Sequence, residues 1–114
     1  MDALNRESAA SVEVSEPGQG RIEVALYGEL DLQSAPLIER RLEQLSSEHH
    51  TEIVFELAGL QFIDSSGLSV LLRCAQSATR VSVRHPSPIV ERVIVATGLE
   101  SVLPIEEAPW SAGA

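Results

Sequence analysis

Asp64-Ser65-Ser66-Gly67 sets a carboxylate, two hydroxyls and a glycine between the apolar pair Phe62-Ile63 and a leucine-rich run that begins at Leu68. The spacing predicts a loop that turns into a helix. A helix start has unpaired amide hydrogens and a partial positive charge, which favour a nearby anion by about 0.3 to 1 kcal/mol at an exposed site. Two uses of the segment follow. Asp64 or Ser65 can serve as a plain helix cap, the commonest role of these residue types. A serine here can also accept a phosphate, which the fold would tolerate. The modification would add about −1.5 to −2 charges to an exposed surface and change a partner's affinity.

Other chemistries find less support. Ser65, Asp64 and one of His49, His50 or His85 do not make a hydrolase triad, because adjacent Asp and Ser cannot take those roles and no Gly-x-Ser-x-Gly elbow is present. The chain is therefore expected not to be an enzyme. Cys74, the single cysteine, falls in a helical stretch where a buried, inert thiol is the default. One cysteine and dispersed histidines show no metal-ligand spacing, and no GxxxxGK loop is present for ATP. No cofactor is expected. His49-His50 reads as a solvated helix terminus, Arg40-Arg41 as a solvated helix face, and Trp110 either docks on the open side of a sheet or stays free.

The chain that must position the serine segment has 114 residues, 44% of them hydrophobic, with 8 basic and 17 acidic side chains and a net charge of −9. That is one small acidic globular domain. It contains no lysine, and its scattered arginines form no basic stripe, so nucleic acid is not an expected partner. A basic protein surface suits it better, since complementary potentials speed encounter. The lone cysteine excludes a disulfide-stapled scaffold, no apolar run approaches the roughly 20 residues a membrane span needs, and residues 1–20 lack an export pattern. A cytoplasmic location, away from membranes, is the expectation.

Periodicity supplies the elements. Residues 11–15 and 21–28 alternate around a turn at 16–20, predicting a hairpin. Ser34 is placed to cap a helix with Pro36 in its first turn, running to about Ser47. Residues 52–57 read as a strand that ends at a turn on Ala58-Gly59, and the serine loop then leads into a helix with Leu68, Leu71, Leu72, Ala75 and Ala78 on one face. A strand over 81–85, a helix from Pro88 to a glycine cap at Gly98, and a short strand over 102–105 complete the order. The alternation predicts an α/β fold: one domain over 11–106, with a mostly parallel sheet of four to five strands, an N-terminal hairpin strand and helices mainly on one face. Residues 1–10 and 107–114 read as tails.

Beyond the physics, Phe62-Ile63-Asp64-Ser65-Ser66-Gly67-Leu68 resembles the phosphorylation loop of the STAS domain family, the bacterial anti-sigma factor antagonists. Gly28-Glu29-Leu30-Asp31, Ser87-Pro88-Ile89-Val90 and Thr97-Gly98-Leu99 agree with that family's pattern in the same order, so the likeness spans about residues 11 to 106. The resemblance implies a protein-binding module rather than a catalyst. It implies Ser65 as phosphoacceptor, with Asp31, Asp64, Ser66 and Gly67 in partner binding and presentation. The implied partner is an anti-sigma factor that is also a serine kinase and itself binds ATP and magnesium. A serine phosphatase is a second implied partner. The alternative within the resemblance is a STAS module of a transporter-associated or signalling scaffold. One departure is the short link at Ala78-Thr79-Arg80, which leaves the exit of the preceding helix open.

Overall fold

Ile22, Val24 and Leu26 are buried while Arg21, Glu23 and Ala25 between them stay half-exposed, so one strand already separates an apolar face from a polar one. In the computed structural model, which describes residues 10–106, that strand is β2 (Arg21–Leu30). It pairs antiparallel with β1 (Ala10–Gly18) through a tight connection in which Gln19 and Gly20 have φ of 61° and 77°. The chain then runs through α1 (Ala35–Arg41), α2 (Glu43–Ser46), β3 (His50–Ile63), α3 (Ser65–Ala75), β4 (Ala78–Arg84) and α4 (Pro88–Ala96). The sheet order is β1-β2-β3-β4, with β3 parallel to both β2 and β4.

Register explains the core. Val24 lies beside Phe55 and Phe55 beside Val83, and none of the three has exposed surface. Ile38 of α1, Leu68 and Leu71 of α3, and Val90 and Ile94 of α4 close over that row in a single apolar cluster. Burying each such side chain is worth about 1.5 to 3 kcal/mol. The opposite face carries Glu23, Ala25, Glu56 and Arg84, with an Arg80–Glu52 ion pair at 3.8 Å and a contact of His85 Nδ1 with the Glu56 carboxylate at 3.0 Å. Exposed pairs of this kind contribute little. The helices therefore lie mainly on one face of a mostly parallel four-stranded sheet, as the alternation predicts.

Several expected boundaries move. β3 continues through Ala58-Gly59 instead of turning there, because Gly59 pairs with Tyr27 and the tyrosine ring occupies the space a Cβ would need. The first helix breaks at Leu42, whose amide donates to both Ile38 and Glu39 carbonyls while its side chain enters the core. β1 extends to Gly18, with irregular pairing between Ser15 and Gly18 that accommodates Pro17. α3 stops at Ala75, and Ala78 opens β4 rather than extending the helical face. Ser77 makes that short link possible: its hydroxyl donates to the Cys74 carbonyl at 2.7 Å, and its own carbonyl accepts the His50 amide.

The predicted strand over 102–105 reduces to one parallel bridge, Val83 with Ile105, because Val102 and Leu103 donate to the Leu99 carbonyl in a turn. His50 corrects the reading of a solvated pair. It is 6% exposed and opens β3, and its Nε2 lies 2.8 Å from the Leu45 carbonyl, which also accepts the Glu48 amide at 3.2 Å as the helix ends. Gly98 holds as the cap of α4, with φ of 73° and the Leu99 amide donating to the Ile94 carbonyl. The tail over 107–114 with Trp110, and residues 1–9 of the N-terminal tail, lie outside the described residues.

Cys74 is 1% exposed on α3, and burial pushes its thiol up to about 11 despite a hydrogen bond with Ser46 that lowers it. A thiol titrating higher in the folded than in the unfolded chain stabilises fully below the unfolded value near 9, and that contribution is lost as pH rises through the folded value. On the order of 2 kcal/mol of stability should therefore disappear between pH 9 and 11. Urea midpoints measured across that range, with Cys74→Ala as control, test this: an equal pH slope in the variant would assign the loss to other groups.

Candidate functional site

The serine segment is built where two parallel strands end together. Leu30 closes β2 beside Ile63, which closes β3, so the turn after Leu30 and the loop after Ile63 emerge side by side. The Asp64 amide donates to the Leu30 carbonyl at 3.2 Å, which ties the two exits at their base.

Asp64 then starts α3. Its backbone is extended, and its Oδ1 accepts from the Ser66 amide at 2.9 Å and the Gly67 amide at 3.1 Å, the geometry of a side-chain cap. Its other oxygen is also used. Oδ2 accepts from the Leu32 amide at 3.1 Å, across 32 residues of sequence. Ser65 is the first helical residue and is exposed, Ser66 is half-buried, and Gly67 is buried against β2. The serine hydroxyl is thus presented to solvent beside a carboxylate held by amides.

The neighbouring turn is organised by Asp31 and Ser34. Asp31 Oδ1 accepts from the Gln33 amide at 3.1 Å and the Ser34 amide at 3.0 Å. Ser34 occupies the cap position of α1, yet its hydroxyl does not cap the helix: it accepts from the Asp31 amide at 3.0 Å and donates to the Glu29 carbonyl at 2.7 Å. Buried at 6% exposure, it secures the exit of β2 instead.

All five site residues named from sequence, Asp31, Asp64, Ser65, Ser66 and Gly67, fall at this one end of the sheet. The histidines do not join them. His50 opens β3 at its far end, His49 Nε2 lies 3.1 Å from the Thr79 hydroxyl, and His85 is paired with Glu56. Sequence reasoning missed Leu32, whose side chain is 72% exposed, and the bond that fixes its backbone to Asp64. The Asp-x-x-Ser spacing signals the turn, but nothing local signals a bond to a residue so distant. Among the described residues no helix is long and apolar enough to cross a membrane, and no group of three His, Cys, Asp or Glu side chains gathers to hold a metal ion.

Comparison with known proteins agrees with this geometry. The family model of the STAS domain matches residues 13–112. An anti-sigma F factor antagonist of Paenibacillus polymyxa is 33% identical over 92 aligned positions, which take in 76% of this chain and 79% of that protein. Among solved structures, an anti-sigma factor antagonist from Mycobacterium paratuberculosis superposes with a TM-score of 0.77 at 24% identity, covering 92% of each chain. The antagonist SpoIIAA in its unphosphorylated form gives 0.68 at 22% identity, covering 90% of this chain and 93% of that one. SpoIIAA of Bacillus in its phosphorylated form gives 0.62 at 21% identity, covering 90% and 97%. A family match over most of the chain, a relative at one-third identity and a shared fold lead to one conclusion: this chain belongs to the STAS domain family, and by sequence and fold it sits with the anti-sigma factor antagonists.

Proposed function

We propose that this chain binds an anti-sigma factor that is also a serine kinase, and that phosphorylation of Ser65 releases it, so that it controls sigma-factor-dependent transcription as an anti-anti-sigma factor. The observation that carries this reading is the exposed Ser65 at the first position of α3, set beside a capping Asp64. The relatives support it, being anti-sigma factor antagonists, one of them solved in unphosphorylated and phosphorylated forms.

In this cycle the kinase supplies ATP and magnesium. The Ser65 Oγ attacks the γ-phosphorus, the bond from that phosphorus to the ADP oxygen breaks, and the hydroxyl proton passes to a base on the kinase. This chain contributes presentation only. Asp64 holds the first turn of the helix, Ser66 and Gly67 supply the amides it binds, and Asp31 shapes the adjoining turn. A serine phosphatase acting on the phosphorylated form would reset the switch. The cytoplasm is the compartment this role requires.

Incubation with the cognate anti-sigma kinase, ATP and magnesium is expected to add one phosphate, located at Ser65 by mass spectrometry. Ser65→Ala should bind the kinase and accept none. Stoichiometric labelling of Ser65→Ala would overturn the assignment.

A further inference from the structure

The Asp64 carboxylate is divided between two tasks that a helix cap alone does not need. One oxygen closes the start of α3 on the Ser66 and Gly67 amides, at 2.9 and 3.1 Å. The other accepts the Leu32 amide at 3.1 Å, in a turn that belongs to a different crossover. Leu32 is the most exposed of the large apolar side chains among the described residues, at 72%, although the core lies two residues away at fully buried Leu30. An aliphatic group held out on a fixed backbone gains from desolvation only when a partner covers it. Asp31 and Ser34 brace the same turn, so the Leu32 backbone is fixed from both ends.

We infer that Asp64 is a positioning residue that yokes Leu32 to the Ser65 surface, so that the partner kinase reads the apolar Leu32 side chain and the Ser65 hydroxyl as one epitope. The inference rests on the kinase-partner reading above and adds a named anchor and the bond that places it. The partner surface it fits is an apolar depression beside the cleft that receives the serine. A carboxylate suits this double role because it has two oxygens, each able to accept. A serine at the same position can cap the helix but has one short acceptor, and an asparagine has one oxygen to share between the two sites.

The test is steady-state phosphorylation by the cognate kinase of wild type, D64S, L32A and the D64S/L32A double variant, together with amide hydrogen exchange of each free protein. D64S should retain protection at Ser66 and Gly67 and lose it at Leu32. D64S and L32A should each raise KM about tenfold with kcat little changed, the pattern of lost binding rather than lost chemistry. The double variant should be no worse than the poorer single one, since D64S acts through Leu32. A pure capping role predicts instead a lower melting temperature with unchanged KM, or costs of D64S and L32A that multiply. Either result overturns the inference. If wild type itself takes no phosphate from the kinase, the functional reading fails and this inference with it; if wild type is a good substrate and D64S matches it, only the inference fails.

Discussion

Gly67→Ala is expected to destabilise the domain by about 3 kcal/mol, a large effect for a single methyl group. A Cβ built at Gly67 would stand 2.5 Å from the Leu30 carbonyl oxygen, 2.7 Å from Ile63 Cγ1 and 2.8 Å from Leu30 Cγ. The first of these neighbours is backbone, and it accepts the Asp64 amide that ties the two strand exits together. It cannot swing aside as a side chain can. Overpacking typically costs about 1 to 3 kcal/mol and sometimes more, whereas the gain in helix propensity from glycine to alanine is about 1 kcal/mol in a helix interior and matters less near a helix start. Steric cost therefore wins. For a domain of this size the melting temperature should fall by roughly 10 °C, read by circular dichroism. A melting temperature equal to or above wild type would mean that α3 can slide off β2 without penalty, and the close approach would lose its role in placing Ser65.

The same contact shows where sequence reasoning succeeds and where it stops. The order of strands and helices is legible because the large apolar residues Ile22, Val24 and Leu26 alternate with polar or small ones and Leu68, Leu71 and Leu72 recur at helical spacing. The serine loop is legible as a helix start because Asp before Ser-Ser-Gly at a change of period is a helix-start pattern with a physical basis. Gly59 and Gly67 are not distinguishable in this way. A glycine in sequence signals permissiveness, and only the folded neighbours reveal that Gly59 makes room for the Tyr27 ring while Gly67 makes room for a β2 carbonyl.

His50 fails for a related reason. A histidine at the end of a polar helix reads as solvated, but the Leu45 carbonyl, which also accepts the Glu48 amide, takes its ring as β3 begins, and the contact spans only five residues. Leu32 is the opposite case. An apolar residue between Asp31 and Gln33 reads as part of a turn, and its exposure together with its tie to Asp64 emerges only when β2 and β3 are laid in register. Local pattern thus yields the elements and the serine loop; the contacts that make them one surface arise from pairing across the sheet.

Phosphorylation of Ser65 should weaken the complex with the kinase roughly 150-fold while leaving the domain folded. A phosphate at the first residue of α3 meets the positive end of the helix, which offsets part of its repulsion from Asp64 by about 0.3 to 1 kcal/mol. Stability in the free protein is therefore expected to change little. In the complex the dianion would face groups arranged around a neutral hydroxyl, and like-charge contacts in a desolvated interface cost several kcal/mol; about 3 kcal/mol corresponds to the stated factor. The chain's overall charge cannot supply this effect. It is already −9, and two further units spread over the surface would be screened beyond about 8 Å at physiological salt. Titration calorimetry of both forms at low and high salt separates the two causes. A local switch keeps most of its discrimination at 1 M salt, where the screening length falls to about 3 Å, because the phosphate and its opposing groups are in contact. Equal affinities of the two forms at high salt would instead mean that the switch acts through long-range repulsion, with no desolvated contact at Ser65.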